Sequence, residues 1–282
     1  MRKQKAFTLV ELLVVIAIIA LLMSILMPAL SRVKKQARAV ICQSNLKQWG
    51  ICFAMYALDN DGRFMKGWMD DTATWGAGKQ WMNQLRTCYG NQGDIRLCPM
   101  TKRPTESWRL GSTFRAWASL GGTGDSAVME GDYGSYGMND WAYNPPSLNE
   151  DELYLPEWNP PGQTKGSWYW RGPDVRNPHN APLFFDCIWT DAWPHHTNEP
   201  TQFDDYADMT DLSGQQMQRV CIKRHDDGIN SLFLDYSVRK VALKELWKLK
   251  WHPHFDTDGP YTTEGGMTAE EWPPWLRKFK DY

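Results

Sequence analysis

From Phe7 to Leu30 the chain reads FTLVELLVVIAIIALLMSILMPAL, twenty-four residues with a single charge, Glu11. A helix rises about 1.5 Å per residue, so this block reaches about 36 Å, enough to cross a hydrocarbon core of about 30 Å. An ordinary secretory signal has a shorter apolar core, closed by a small-residue cleavage site. Here the block is longer, and the residues after it, SRVKKQAR, continue a helix. Arg2, Lys3 and Lys5 precede the block and place the chain's start on the cytoplasmic side. Arg32, Lys34, Lys35 and Arg38 lie beyond it and pull weakly the other way. Glu11 is the oddity, because a carboxylate within an apolar helix is costly and calls for a partner.

The helix is expected to run on through residues 31–60. Val33, Ala37, Val40, Ile41, Ile51, Met55 and Leu58 recur at three- and four-residue steps and define one apolar face. Asp59-Asn60-Asp61-Gly62 then reads as a turn that stops it. The same four residues could open a calcium loop, but the remaining ligands of such a loop do not follow at their spacing. The whole chain of 282 residues carries a net charge of -2. From residue 39 onward it is acidic, with 24 Lys and Arg against 32 Asp and Glu. That balance suits an extracytoplasmic head and argues against nucleic acid or anionic lipid bound through bulk charge.

Residues 61–180 hold 16 of the 22 glycines, 9 of the 17 prolines and 9 of the 16 tryptophans, and they show no clean period. This is a loop-rich insertion with short strands, held by aromatic side chains rather than by aliphatic ones. Regular structure returns over residues 181–255. APLFFDCIW reads as a buried strand, and RVCIKRH (219–225), INSLFLD (229–235) and SVRKVAL (237–243) read as three more. Asp226-Asp227-Gly228 turns between the first two of these three, and LKELWKLKW (243–251) reads as a short amphipathic helix. The outward alternation of the strands puts their buried side on the apolar stripe of the helix. Residues 256–282 form an irregular tail rich in Gly and Pro.

Six cysteines are present. Cys42 and Cys52 lie ten residues apart on one helix, about 15 Å, and cannot pair with each other. An exported head permits oxidation, so at least one disulfide is expected. Cys88 and Cys98 bracket a loop that could close, Cys187 and Cys221 could bridge neighbouring strands, and Cys98 could instead meet Cys42 on the helix. No CxxC spacing points to a zinc ribbon. His195-His196 and His252-Pro253-His254 each offer two ligands with no third in view, so neither predicts a metal. His225, with Asp226 and Asp227, has the residue types of acid–base chemistry. No nucleophile or oxyanion signature accompanies it, and a structural turn network is the reading taken. No catalytic residue and no cofactor is expected. Trp68, Trp75, Trp81, Trp168 and Trp170 either form the insertion's core or offer exposed faces to a glycan, and the core is favoured.

Ala6-Phe7-Thr8-Leu9-Val10-Glu11-Leu12, with its basic leader and long apolar helix, resembles the cleavage and methylation signature of type IV prepilins and type II secretion pseudopilins. The resemblance implies that a prepilin peptidase cuts between Ala6 and Phe7, that residues 1–6 are a leader, and that the amine of Phe7 is methylated. It further implies that Glu11 pairs with the N-terminal amine of a neighbouring subunit during assembly. Ala6 replaces the family's usual Gly, and Pro28 matches a common family position. ICQSNLKQWGICFAMYALDNDGRF resembles the later helix of a pilin-like family abundant in planctomycete-type bacteria. HDDGINSLFLDYSV, from His225 through Gly228 and Asp235, resembles its H-X9-DG segment, with Tyr236 where Gly is usual. The fold so implied is α+β and pilin-like: a long protruding N-terminal helix, residues 7–30 in the inner membrane, on an antiparallel head. The function implied is a structural filament subunit, its partners other pilin or pseudopilin subunits. The alternative is a filament-displayed or membrane-anchored glycan-binding module.

Overall fold

The structure is a computed structural model that describes residues 9–67, 80–90, 93–104, 110–118, 131–145, 164–204 and 216–282. Helix α1, Leu9–Asp59, is continuous for 51 residues, with Pro28 inside it. It is the one helix among the described residues long and apolar enough to cross a membrane. It ends where the turn residues stand. Asp61 and Gly62 take left-handed φ values of 53° and 73°, and the Gly62 amide donates back to the Ala57 carbonyl at 2.8 Å. This is a helix C-terminus closed by a left-handed pair, as expected of the Asn-Asp-Gly sequence.

Two four-residue helices, α2 (Trp81–Gln84) and α3 (Arg86–Tyr89), precede the sheets. The strands are β1 (Trp117–Ala118), β2 (Tyr133–Gly134), β3 (Tyr136–Asn139), β4 (Pro182–Asp186), β5 (Asp191–Ala192), β6 (Gly228–Phe233) and β7 (Val238–Ala242). β1 and β2 form a separate antiparallel pair. The main sheet has the order β5-β3-β4-β6-β7. All its pairings are antiparallel except β3 with β5, so the expected antiparallel sheet is mixed at one edge.

Helix α1 packs across β4, β6 and β7, and the face it uses corrects the sequence expectation. The buried positions are Cys42, Leu46, Trp49, Gly50, Cys52, Phe53 and Ala57. The expected stripe of Val33, Val40, Ile41, Ile51, Met55 and Leu58 is exposed. By the 3.6-residue period the two sets lie on roughly opposite sides of the helix. The aliphatic stripe is real, but the head is docked through aromatic, cysteine and glycine positions. Trp49 meets Trp81 edge-on at 5.1 Å and Phe184 at 5.4 Å, while Phe53 meets Phe184 at 5.5 Å. Polar bonds fix the register: Gln43 donates to Asn230 at 3.1 Å and Lys47 to the Tyr236 carbonyl at 2.7 Å.

The 181–255 region departs from expectation at two places. Residues 219–225 are not a strand: a 3-10 turn, Gln216–Arg219, leads into a buried irregular segment. Arg219 is drawn to Asp191 at 2.5 Å, and Arg224 turns into the core. Residues 243–251 hold only the 3-10 turn Lys244–Lys248. The β6–β7 hairpin stands as expected. The Tyr236 amide donates to Phe233 and the Phe233 amide to Ser237, both at 2.9 Å, with Tyr236 left-handed at φ 62°. That is a type I turn with a bulge, the geometry that favours Gly at the position Tyr236 holds.

Aromatic side chains do supply the core of the insertion's described residues. Trp81, Trp117, Trp141 and Trp168 are fully buried. Trp141 contacts Trp168 at 5.7 Å, Trp193 at 4.9 Å and His252 at 5.0 Å. The irregular tail packs as well, with Trp272 against Trp247 at 5.5 Å and Lys244 paired to Asp281 at 2.6 Å.

Candidate functional site

Two features carry chemistry, the N-terminal helix and a buried cluster beneath its docked half. Ala6 and Phe7 lie outside the described residues. Glu11 lies in the first turn of α1, and apolar residues from Leu9 to Leu30 are exposed around the helix behind it. Beyond Leu30 the exposure narrows to the outward stripe, which continues the apolar surface alongside the head. A large apolar surface of this kind marks contact with a membrane or with another protein chain.

The buried cluster brings together Cys42 of α1, Cys98 after the 93–96 turn, Asp186 at the end of β4 and His225 before β6. All four are buried, and one ligand-type atom from each lies within 4.8 Å of every other. His225 Nε2 is 3.1 Å from Asp186 Oδ2 and 3.3 Å from Cys98 Sγ. Cys42 Sγ lies 3.7 and 3.8 Å from the two Asp186 oxygens. Around them the Tyr136 hydroxyl donates to Cys42 Sγ at 3.3 Å, and the Asn230 amide donates to Asp186 at 2.8 Å. Arg224 donates to Asp186 at 3.2 Å and to the carbonyls of Ser112, Thr113, Ser135 and Cys187.

The electrostatics follow from that packing. Burial alone would raise Asp186, but the charge and hydrogen bond of His225, with Arg224, pull it down to about 2. Burial alone would lower His225, and Asp186 overrides it, raising His225 to about 9. Burial would raise Cys42 too, but hydrogen bonds from Cys98 and His225 bring it to about 7. A thiol, an imidazole and a carboxylate in line resemble an activated nucleophile. All of them are buried.

The His225 ring meets Asp186 and Cys98 rather than the two aspartates beside it in sequence. Asp226 pairs with Lys35 of α1 at 3.2 Å, and Asp227 pairs with Lys240 across the hairpin. Gly228 opens β6, where a Cβ would strike the Val241 carbonyl. Asp235 accepts from the Ser237 amide at 2.9 Å and its hydroxyl at 2.6 Å, closing the β6–β7 turn. Asp186 and Arg224, the centre of the network, were not singled out by spacing. A buried acid at the end of an apolar strand, APLFFD, was the available signal.

All six cysteines are free thiols in the structure. Cys98 sits with Cys42 and His225 rather than with Cys88, and Cys88 neighbours Cys52. Cys187 and Cys221 do not bridge: Cys187 Sγ faces the Asp191 carbonyl at 3.6 Å, and burial raises both thiols to about 12. The two histidine pairs, each short of a third ligand in sequence, converge, so that His195, His196 and His252 form a second buried group. His195 lies tilted against His196 at 4.1 Å and stacked on His252 at 5.5 Å. Of the tryptophans weighed as glycan platforms, Trp81 and Trp168 are in the core. Trp170 is half-buried, donating to the Trp251 carbonyl at 2.9 Å, and Trp68 and Trp75 lie outside the described residues.

Comparison with known proteins bears on the N-terminal helix. Residues 1–27 match the family model described as the prokaryotic N-terminal methylation motif. Its N-terminal segment is type IV pilin-like. Over 61 residues the chain is 43% identical to the type IV wide pilus major component PilA4 of Thermus thermophilus. That match covers 22% of this chain and 47% of the relative, about half its length. No solved structure matches the chain. The long helix on a sheet-bearing head agrees with the α+β, pilin-like class implied by the sequence.

Proposed function

We propose that the chain is a structural subunit of a type IV pilus-like or pseudopilus filament. The observation that carries this is the continuity of α1: a methylation-motif segment runs into a helix whose aliphatic stripe faces away from its own head. One face of residues 39–59 holds the head, and the opposite face stays available for neighbouring helices. The apolar block holds the subunit in the inner membrane, head outside, until assembly. Before assembly a prepilin peptidase removes residues 1–6, and Phe7 becomes the methylated terminus.

Mass spectrometry of the mature protein, from cells that carry a prepilin peptidase, tests the processing. An N-terminal peptide beginning at methylated Phe7 is expected. A terminus near Ser31 would mean ordinary signal cleavage and would end the filament reading.

A further inference from the structure

We infer that Cys42, Cys98, Asp186 and His225 form a closed structural zinc site that clamps α1 onto the head. This goes beyond the filament reading and does not depend on it. The donor set is two thiol sulfurs, one imidazole nitrogen and one carboxylate oxygen, a combination that suits zinc over the hard, oxygen-seeking cations.

The geometry fits before any metal is considered. Zinc bonds of about 2.3 Å to sulfur and about 2.0–2.1 Å to nitrogen or oxygen, at tetrahedral angles, set donor–donor edges of about 3.5 Å for sulfur with nitrogen or oxygen and about 3.3 Å for nitrogen with oxygen. The observed edges are 3.3 Å for Cys98 with His225, 3.1 Å for His225 with Asp186, and 3.7 and 3.8 Å for Cys42 with Asp186. Small shifts, outward around His225 and inward between Cys42 and Asp186, would complete the tetrahedron.

Charge also balances. Loading zinc displaces the protons held by the two thiols and by the ligating nitrogen of His225, so two thiolates, a neutral imidazole and Asp186 face one dication and the buried guanidinium of Arg224, with no net charge left in the core. An outer shell stands ready: Tyr136 donates to Cys42, and both Arg224 and the Asn230 amide donate to Asp186.

The placement defines the role. The ligands come from α1, the segment after α3, the end of β4 and the turn before β6. Four stretches distant in sequence thus meet at one point, where the helix leaves its free half and enters the head. All four positions are filled by protein and all are buried, so the site is structural.

The test uses the full chain, purified in detergent without chelator. Elemental analysis should find one zinc per chain, retained through dialysis. Cobalt exchanged into the protein should give thiolate-to-metal charge-transfer absorption and a tetrahedral visible spectrum. Cys98→Ser should lose the charge-transfer band or most of it, and His252→Ala, in the separate histidine group, should keep it. A Cys42–Cys98 disulfide in non-reducing peptide maps would overturn the proposal. So would metal-free protein with both thiols open to alkylation once unfolded, or bound metal without the thiolate signature, which would place it on the histidines. The measurements on the unaltered chain decide the matter even where a cysteine variant fails to fold.

Discussion

Gly50 of α1 stands so close to Leu232 of β6 that a Cβ placed on it would lie 3.0 Å from the Leu232 Cδ1. Glycine inside a helix costs about 1 kcal/mol relative to alanine. Here it lets the helix lie down on the sheet. Gly50→Leu should destabilise the head by about 1–3 kcal/mol through overpacking. Thermal unfolding followed by tryptophan fluorescence reads this, since so many indoles are buried. A variant as stable as the parent would mean that the helix–sheet contact is loose.

The next residue, Ile51, points the other way and is 54% exposed. Ile51→Asp should change stability by no more than about 0.5 kcal/mol, as for an ordinary surface position. If the outward stripe is an assembly surface, the same change should strongly reduce incorporation into filaments, read by immunoblot of sheared surface fractions. Normal incorporation would remove the stripe from the assembly surface.

Glu11 raises a separate question, because a charge in the apolar block is tolerable when a partner neutralises it. Glu11→Val should leave membrane insertion intact and block entry into filaments. Membrane fractionation beside the same immunoblot separates the two outcomes. Wild-type incorporation of the variant would deny Glu11 its proposed role.

In the β6–β7 turn, Asp235 holds the Ser237 amide and hydroxyl while Tyr236 takes the left-handed conformation. Asp235→Ala should cost about 1 kcal/mol, the worth of a local side-chain hydrogen bond. Asp235→Asn, which keeps an acceptor, should cost much less. Equal losses in the two variants would show that the carboxylate acts by charge and not by closing the turn.

What was legible in the sequence followed from local pattern. Twenty-four nearly uncharged residues announce a helix, and Asn60-Asp61-Gly62 announces its end, because both depend on neighbours along the chain. An aliphatic stripe does not reveal the docking face, because the head is held by Trp49, Phe53, Cys42 and Gly50. The buried cluster was hidden for a different reason. Cys42, Cys98, Asp186 and His225 have no common spacing, and only the meeting of α1 with β4 and β6 makes them neighbours. The same holds for His195-His196 and His252, which look like two incomplete pairs until the fold joins them.

Arg224 shows how a residue invisible to pattern can govern a core. In a strand over 219–225 it would be one more alternating position. In the structure it is fully buried and its guanidinium reaches Asp186 and four carbonyl oxygens, from Ser112, Thr113, Ser135 and Cys187. Those carbonyls come from three separate stretches of chain, which one planar fork of donors ties together. Arg224→Met should therefore cost about 3–5 kcal/mol, because Asp186 keeps its charge and loses a buried partner. Arg224→Lys should rescue little of it. An ammonium keeps the charge but has three donors on one centre, and it cannot span acceptors spread around a plane. Comparing the two variants by thermal unfolding isolates geometry from charge. If Arg224→Lys unfolded at the wild-type temperature, charge alone would suffice, and the guanidinium would lose its place as the organiser of these segments.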